Sequence, residues 1–248
     1  RATHGYVRGI FRRVREANPI LLAKCCHDID FLLWLTRSRC LKLSSFGSLQ
    51  WFRAENAPEG AGERCLDCRI EPQCPFSARD LYYVRRDWVA NFDVPEGMTL
   101  DEAILEELRT GLYGRCVYRC DNDVVDRQLL SMEMDDAVIV SLSMEMFSND
   151  DFRRTHIWLT NGEIEGDERM LRVRKFRGGY ERIYDFSDIA GQPFHAGADL
   201  YLIDDFIQAL YDPDHAFLTS IGDSIESHRI CYEAERSRRT GETIRMDE

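Results

Sequence analysis

The stretch NPILLAKCCHDIDFLLWL holds His27, with Asp30 three residues later and Lys24 three residues earlier. An imidazole has an ordinary pKa of about 6.5, which suits it to passing a proton at neutral pH. On a helix the spacing would let Asp30 orient the ring. The competing reading is a histidine that only hydrogen-bonds within a packed helix. A second pair, His195 and Asp199, stands in HAGAD, where Gly197 permits close backbone approach and Asp199 is expected to be a helix N-cap. Asp121, Asn122 and Asp123 put three hydrogen-bonding side chains in a row, as a hydroxyl-rich ligand requires or as a turn does. Cys65, Cys68 and Cys74 form C-x2-C-x5-C, and the first pair has the spacing of a structural zinc site. The fourth ligand would come from Cys25, Cys26, Cys40 or a histidine. An iron–sulfur cluster and free thiols are the alternatives, and Cys116 and Cys120 read as packing on one face of a strand.

The elements that must position these residues follow from periodicity. Residues 4–11 read as a strand by their β-branched and aromatic content, 24–35 as a helix, and 41–52 as a long strand. Residues 53–80 change character, with Pro58, Pro72, Pro75 and the three cysteines in an irregular insertion; such a loop is usually functional or cross-linked. Thr99 and Glu102 have capping-box spacing at the head of a helix that ends near Gly111. Residues 128–134 and 137–147 predict a hairpin around Asp135 and Asp136, with Val138, Val140, Leu142, Met144 and Met146 on one face. Strands follow at 154–159 and 169–176, with Asn161-Gly162 as a turn, and helices at 199–211 and 222–238. The expected fold is α+β: one large, open, mainly antiparallel sheet with helices on one face, forming a single domain over residues 1–248.

Bulk properties narrow the partners. The 248 residues are 44% hydrophobic and 31% charged, with a net charge of −12. So acidic a body repels phosphate backbones, and nucleic acid is not an expected partner. No apolar run approaches the roughly 20 residues of a membrane span, and no signal-peptide pattern opens the chain, so a cytoplasmic setting is the default. Nine cysteines cannot all pair with one another, which agrees with reduced thiols. There is no G-x-G-x-x-G, no P-loop and no nucleophile elbow, so no nucleotide site is expected in this chain. The chain opens on Arg1 rather than Met, as a fragment or processed chain would.

Several phrases together resemble the glucose-fructose oxidoreductase / inositol dehydrogenase family. They are HGYVRGIFRR, the His27 stretch, LSSFGSLQWFRAENAPEGAGERCLDC, GRCVYRCDNDVVD at 114–126, RRTHIWLTNGEIEGD at 153–167 and HAGADLYLIDDFIQAL at 195–210. The resemblance implies the C-terminal, substrate-binding and dimer-forming domain of an oxidoreductase for a sugar- or polyol-like substrate. NAD or NADP would bind on an N-terminal Rossmann domain outside this chain. It also implies that His27 is the proton acceptor, within an Asp-x-x-x-His pattern followed by Asp30. Ala23 stands where the first Asp is expected, with Lys24 beside it as a possible substitute. The related branch has a second glycine where Ala196 or Ala198 stands. A non-catalytic binding or assembly module and an NAD-dependent glycosidase of the same family are the rival readings.

Overall fold

A computed structural model describes residues 2–148, 152–190, 195, 197–212, 214–217 and 220–246. The protein is α+β, as expected, and its strands form two four-stranded antiparallel sheets. The chain divides into two compact units, Arg1–Phe147 with Ile221–Glu248, and Ser148–Ser220.

In the first unit, helices α1 (Val14–Ala17), α2 (Cys26–Thr36) and α3 (Leu100–Thr110) accompany strands β1 (Cys40–Ser48), β2 (Arg127–Met134) and β3 (Ile139–Glu145). Alternation decides the two faces of this sheet. Register puts Leu43, Met132 and Val140 in one row, and Ser45, Leu130 and Leu142 in the next. The offset rows carry Phe46, Leu129 and Ser143, then Ser44, Ser131 and Ser141. The first set is closed over by helix α2 and the last helix of the unit, Ile221–Thr240, with Ile29, Ile230, Cys231 and Ala234 in the same core. That helix approaches closely because Ser227, Cys231, Ala234 and Ser237 on its buried stripe are small. Its Ser237 Oγ accepts from the Ser45 amide at 2.9 Å. The second set stays open, with Phe46 and Ile139 exposed.

The rest of the unit departs from expectation at its start. Thr3–Arg8 is a π-helical turn and not a strand. Thr3, Val7 and Arg8 are buried from it, a helical spacing, and this tertiary burial outweighs the strand preference of its aromatic and β-branched residues. Residues 53–80 are irregular as read, held by short 3-10 turns at Ala54–Asn56, Cys65–Asp67 and Glu71–Gln73. The Thr99 capping box forms, with the Thr99 hydroxyl accepting from the Glu102 amide at 3.3 Å.

The second unit is a meander of β4 (Thr155–Leu159), β5 (Gly162–Gly166), β6 (Met170–Lys175) and β7 (Glu181–Asp185). Helices α4 (Ser187–Ala190) and α5 (Ala198–Tyr211) follow, and the Ile221–Thr240 helix of the first unit is α6. The chain ends on β8 (Ile244–Arg245), which pairs with β1. The hairpin between β4 and β5 turns one residue earlier than expected, on Thr160 and Asn161, since Leu159 pairs with Gly162. Gly162 is required there by proximity: a Cβ on it would meet the Arg174 carbonyl oxygen at 2.2 Å.

Candidate functional site

His27 lies on the first turn of α2, directly after a π-helical turn at Leu21–Cys25. Such widened turns change the direction of side chains and occur disproportionately at functional positions. The turn anchors Leu21, Leu22 and Cys25 in the core, which leaves Lys24 and His27 exposed and Asp30 half-buried. Among the described residues, no hydrogen bond joins His27 to Asp30. The helix therefore presents the imidazole but does not itself fix its orientation.

His195 and Asp199 meet directly, Nδ1 to the carboxylate at 3.0 Å. The N-cap of α5 is Gly197 at φ +82°, which makes no side-chain cap, and Asp199 stands in the first turn. Asp199 as the N-cap is thus corrected. Gly197 takes the left-handed backbone that ends the loop, and the Asp199 carboxylate is spent on His195 instead. His195 itself has a left-handed φ of +53° and an exposed side chain. Ala196 lies outside the described residues.

The Asp121–Asp123 stretch is largely occupied by the protein's own groups. Arg12 Nε and Nη2 donate to the two Asp121 oxygens at 2.8 and 3.2 Å, and Arg115 Nη1 donates at 2.7 Å. The Arg12 hydrogen bond, then that of Arg115, holds the Asp121 carboxyl well below its ordinary range. Asp123 accepts from the Val14 amide at 2.7 Å, and Asn122 donates to the Phe52 carbonyl at 3.4 Å. The three side chains clamp the N-terminal segment and the 50s loop together, which is the turn-like reading of their sequence.

The cysteines of the insertion share the lining of one void with residues that sequence reasoning missed. Cys65, Cys68 and Cys74 line one small void together with Cys116 and Arg8. A short antiparallel contact makes this possible: Cys65 N–H donates to the Gly114 carbonyl and Cys116 N–H to the Glu63 carbonyl, each at 2.9 Å. Gly114 must be glycine because a Cβ would overlap the Leu108 carbonyl oxygen, at 1.8 Å. Burial lifts the Cys74 and Cys116 thiols above their ordinary pKa, and neighbouring Cys65 and Cys68 add to it. All nine cysteines are unpaired. Sequence carried no specific signal for Cys116: Arg-Cys also occurs at 39–40, 64–65 and 119–120, and only the bridge between Arg64 and Arg115 brings residue 116 to the loop.

Elsewhere, His156, Glu163 and Glu165 cluster on β4 and β5, but Arg174 Nη2 already engages both carboxylates, at 2.9 and 3.0 Å. His4 is half-buried, stacked on Tyr113 with centroids 4.6 Å apart and bonded through Nδ1 to the Tyr82 hydroxyl at 2.9 Å. Among the described residues, all strand pairings are antiparallel, and no glycine-rich turn leads from a strand into a helix N-terminus.

No family model matches the chain, and no curated protein matches it. Solved structures do. An oxidoreductase domain protein from Kribbella flavida aligns over 96% of this chain and 54% of its own, at 11% identity and a TM-score of 0.58. The transcriptional regulator Gal80p from Kluyveromyces lactis aligns over 96% and 48%, at 13% identity and a TM-score of 0.56. A super-repressor mutant of Gal80p from Saccharomyces cerevisiae aligns over 94% and 51%, at 12% identity and a TM-score of 0.53. These likenesses show a shared fold, and the chain spans about half the length of each of these solved structures.

Proposed function

We propose that this chain is the substrate-binding and dimer-forming half of an NAD(P)-dependent oxidoreductase of the glucose-fructose oxidoreductase / inositol dehydrogenase family, acting on a sugar- or polyol-like substrate. The observation that carries the reading is the alignment of nearly the whole chain with about half of an oxidoreductase domain protein, in the same fold. The phrases around His27 and at 114–126 support it independently. In this reading residues 1–248 work as one domain, both compact units included, in the reducing cytoplasm. Nicotinamide, held on a domain outside this chain, supplies hydride acceptance. His27 accepts the proton of the substrate hydroxyl, Lys24 stands in for the missing carboxylate, and Asp30 influences the imidazole through the helix. His195, held by Asp199, meets substrate hydroxyls. The likeness to Gal80p favours one second reading, a binding module that performs no chemistry.

The test uses the full protein that contains this chain, offered NAD or NADP with a panel of sugars and polyols, and follows nicotinamide reduction. Turnover in the full protein, with no dinucleotide binding by residues 1–248 alone in calorimetry, is the expected result. Sugar binding without reduction of either dinucleotide by any substrate supports the second reading. Micromolar NAD(P) affinity in the 248-residue chain overturns the assignment of domains.

A further inference from the structure

We infer that Cys65, Cys68, Cys74 and Cys116 form a four-thiolate metal centre, with Arg8 as its buried counter-charge. Three observations carry this. First, the four side chains line one void, although Cys116 is more than 40 residues from the other three in sequence. Second, two of the sulfurs accept a backbone amide. Ala78 N–H donates to Cys65 Sγ at 3.4 Å and Gly62 N–H to Cys68 Sγ at 3.3 Å. Amide dipoles aimed at sulfur stabilise thiolates over thiols and tune bound metal. Third, Arg8 is only 1% exposed and has no carboxylate partner among the described residues. Its Nη2 reaches the Phe76 carbonyl at 2.6 Å and Cys65 Sγ at 3.7 Å, its Nε reaches the Arg115 carbonyl at 2.7 Å, and its Nη1 has no partner. A buried guanidinium without a counter-charge is costly, and although the Glu71 carboxylate lines the same void it is engaged by Ser77 and Arg79, so an anion is still called for beside Arg8.

A four-thiolate centre is that anion. Four thiols release four protons on binding metal. Four thiolates outweigh the charge of a dipositive zinc or of a dipositive iron–sulfur core, so either occupant leaves the void net negative. The two share the ligand chemistry and differ in reach. A tetrahedral zinc with bonds of about 2.3 Å sets its sulfurs about 3.8 Å apart. No three of these sulfurs lie within 4.8 Å of one another. Zinc would therefore draw the loop inward, and an iron–sulfur core, whose thiolates each bind a different iron, would have to widen a void of about 10 Å³. Either metal would supply the cross-link that the insertion, with its short 3-10 turns, needs to stay ordered.

The experiment purifies the chain under anaerobic conditions and measures zinc, iron and acid-labile sulfide, then offers zinc alone, or ferrous iron with sulfide, to the reduced apoprotein. About one zinc per chain, or iron with an equal amount of sulfide and a visible absorption that dithionite bleaches, supports the centre and identifies its occupant. X-ray absorption at the bound metal should show a first shell of sulfur only. Cys116→Ser should lower metal retention in a chelator competition by at least tenfold, while Cys120→Ser, four residues on and outside the void, retains it. The absorption measurement needs no variant, so it decides even where Cys116→Ser fails to fold. Metal-free protein after both additions, a shell containing nitrogen or oxygen, or retention unchanged in folded Cys116→Ser overturns the proposal.

Discussion

His4 and His27 show how one residue type is given opposite properties by its surroundings. His4 is enclosed by Tyr82, Trp88 and Tyr113, and burial, with the charge of Arg8 adding to it, depresses its pKa from 6.5 to about 4. The unfolded chain therefore binds a proton that the folded one refuses between those values. Stability from this group is fully present above 6.5 and is lost as pH falls from 6.5 towards 4. His4→Phe keeps the ring stack and removes the titration, so its thermal midpoint should change less than the wild type's between pH 6.5 and 4. An equal slope in both proteins would place the titration elsewhere. His27 is exposed and makes no hydrogen bond to Asp30, and the proposed function assigns it the substrate's proton. In the full protein His27→Ala should cut turnover by roughly 10²- to 10⁴-fold with the fold intact, the usual loss for a general base. Asp30→Asn should cost less, since no contact ties it to the ring. Lys24→Met separates a catalytic lysine, by a large loss, from a solvated one, by none. Near-normal turnover in His27→Ala moves the proton acceptor to another residue.

The elements carry two stability predictions of opposite sign. Thr99→Ala removes the acceptor of the Glu102 amide at the head of α3 and should destabilise the protein by about 1 kcal/mol in urea unfolding. Ala137 closes the loop between β2 and β3 with φ at +64°, a left-handed backbone that costs an alanine about 1 kcal/mol. Ala137→Gly should therefore stabilise by a fraction of that, and no gain would mean that chain entropy in the unfolded state cancels the relief. Both regions were legible in sequence: the capping box, the β2–β3 hairpin with its apolar face, β4, β6 and the last two helices stand where periodicity put them. Thr3–Arg8 was not, because burial of Val7 and Arg8 is a tertiary fact that strand-forming side chains conceal. Nor was the division of the strands into two sheets, since alternation fixes faces and not partners. Of the candidate site, the C-x2-C-x5-C loop announced itself by spacing. Cys116 did not, because only the pairing of residues 63–65 with 114–116 carries it there.

At the scale of the molecule, apolar surface is left uncovered on both sheets' neighbourhoods. Phe46, Leu129 and Ile139 stand on the open face of the first sheet, and α5 buries none of its residues despite Leu200, Ile203, Phe206, Ile207 and Leu210. An apolar face of this kind is costly to leave in water and marks an interaction surface. Light scattering at micromolar concentration should give a dimer, and Phe46→Glu with Ile139→Lys should shift it towards monomer without loss of helical signal. A folded wild-type monomer would count against the sheet as an assembly face. No helix among the described residues is long and apolar enough to cross a membrane.

The order in which the chain is written has a consequence of its own. The inner face of the first sheet is roofed by α6, and its edge is completed by β8, yet residues 148–220 are synthesised between β3 and that roof. At translation speeds of about 5–20 residues per second, Leu130, Met132 and Val140 wait on the order of ten seconds on the nascent polypeptide before Ile230, Cys231 and Ala234 emerge to cover them. Ribosome stalling anywhere in the second unit would thus strand an open hydrophobic sheet. Chaperone capture during translation should be concentrated in that interval, and should fall away once α6 has cleared the exit tunnel.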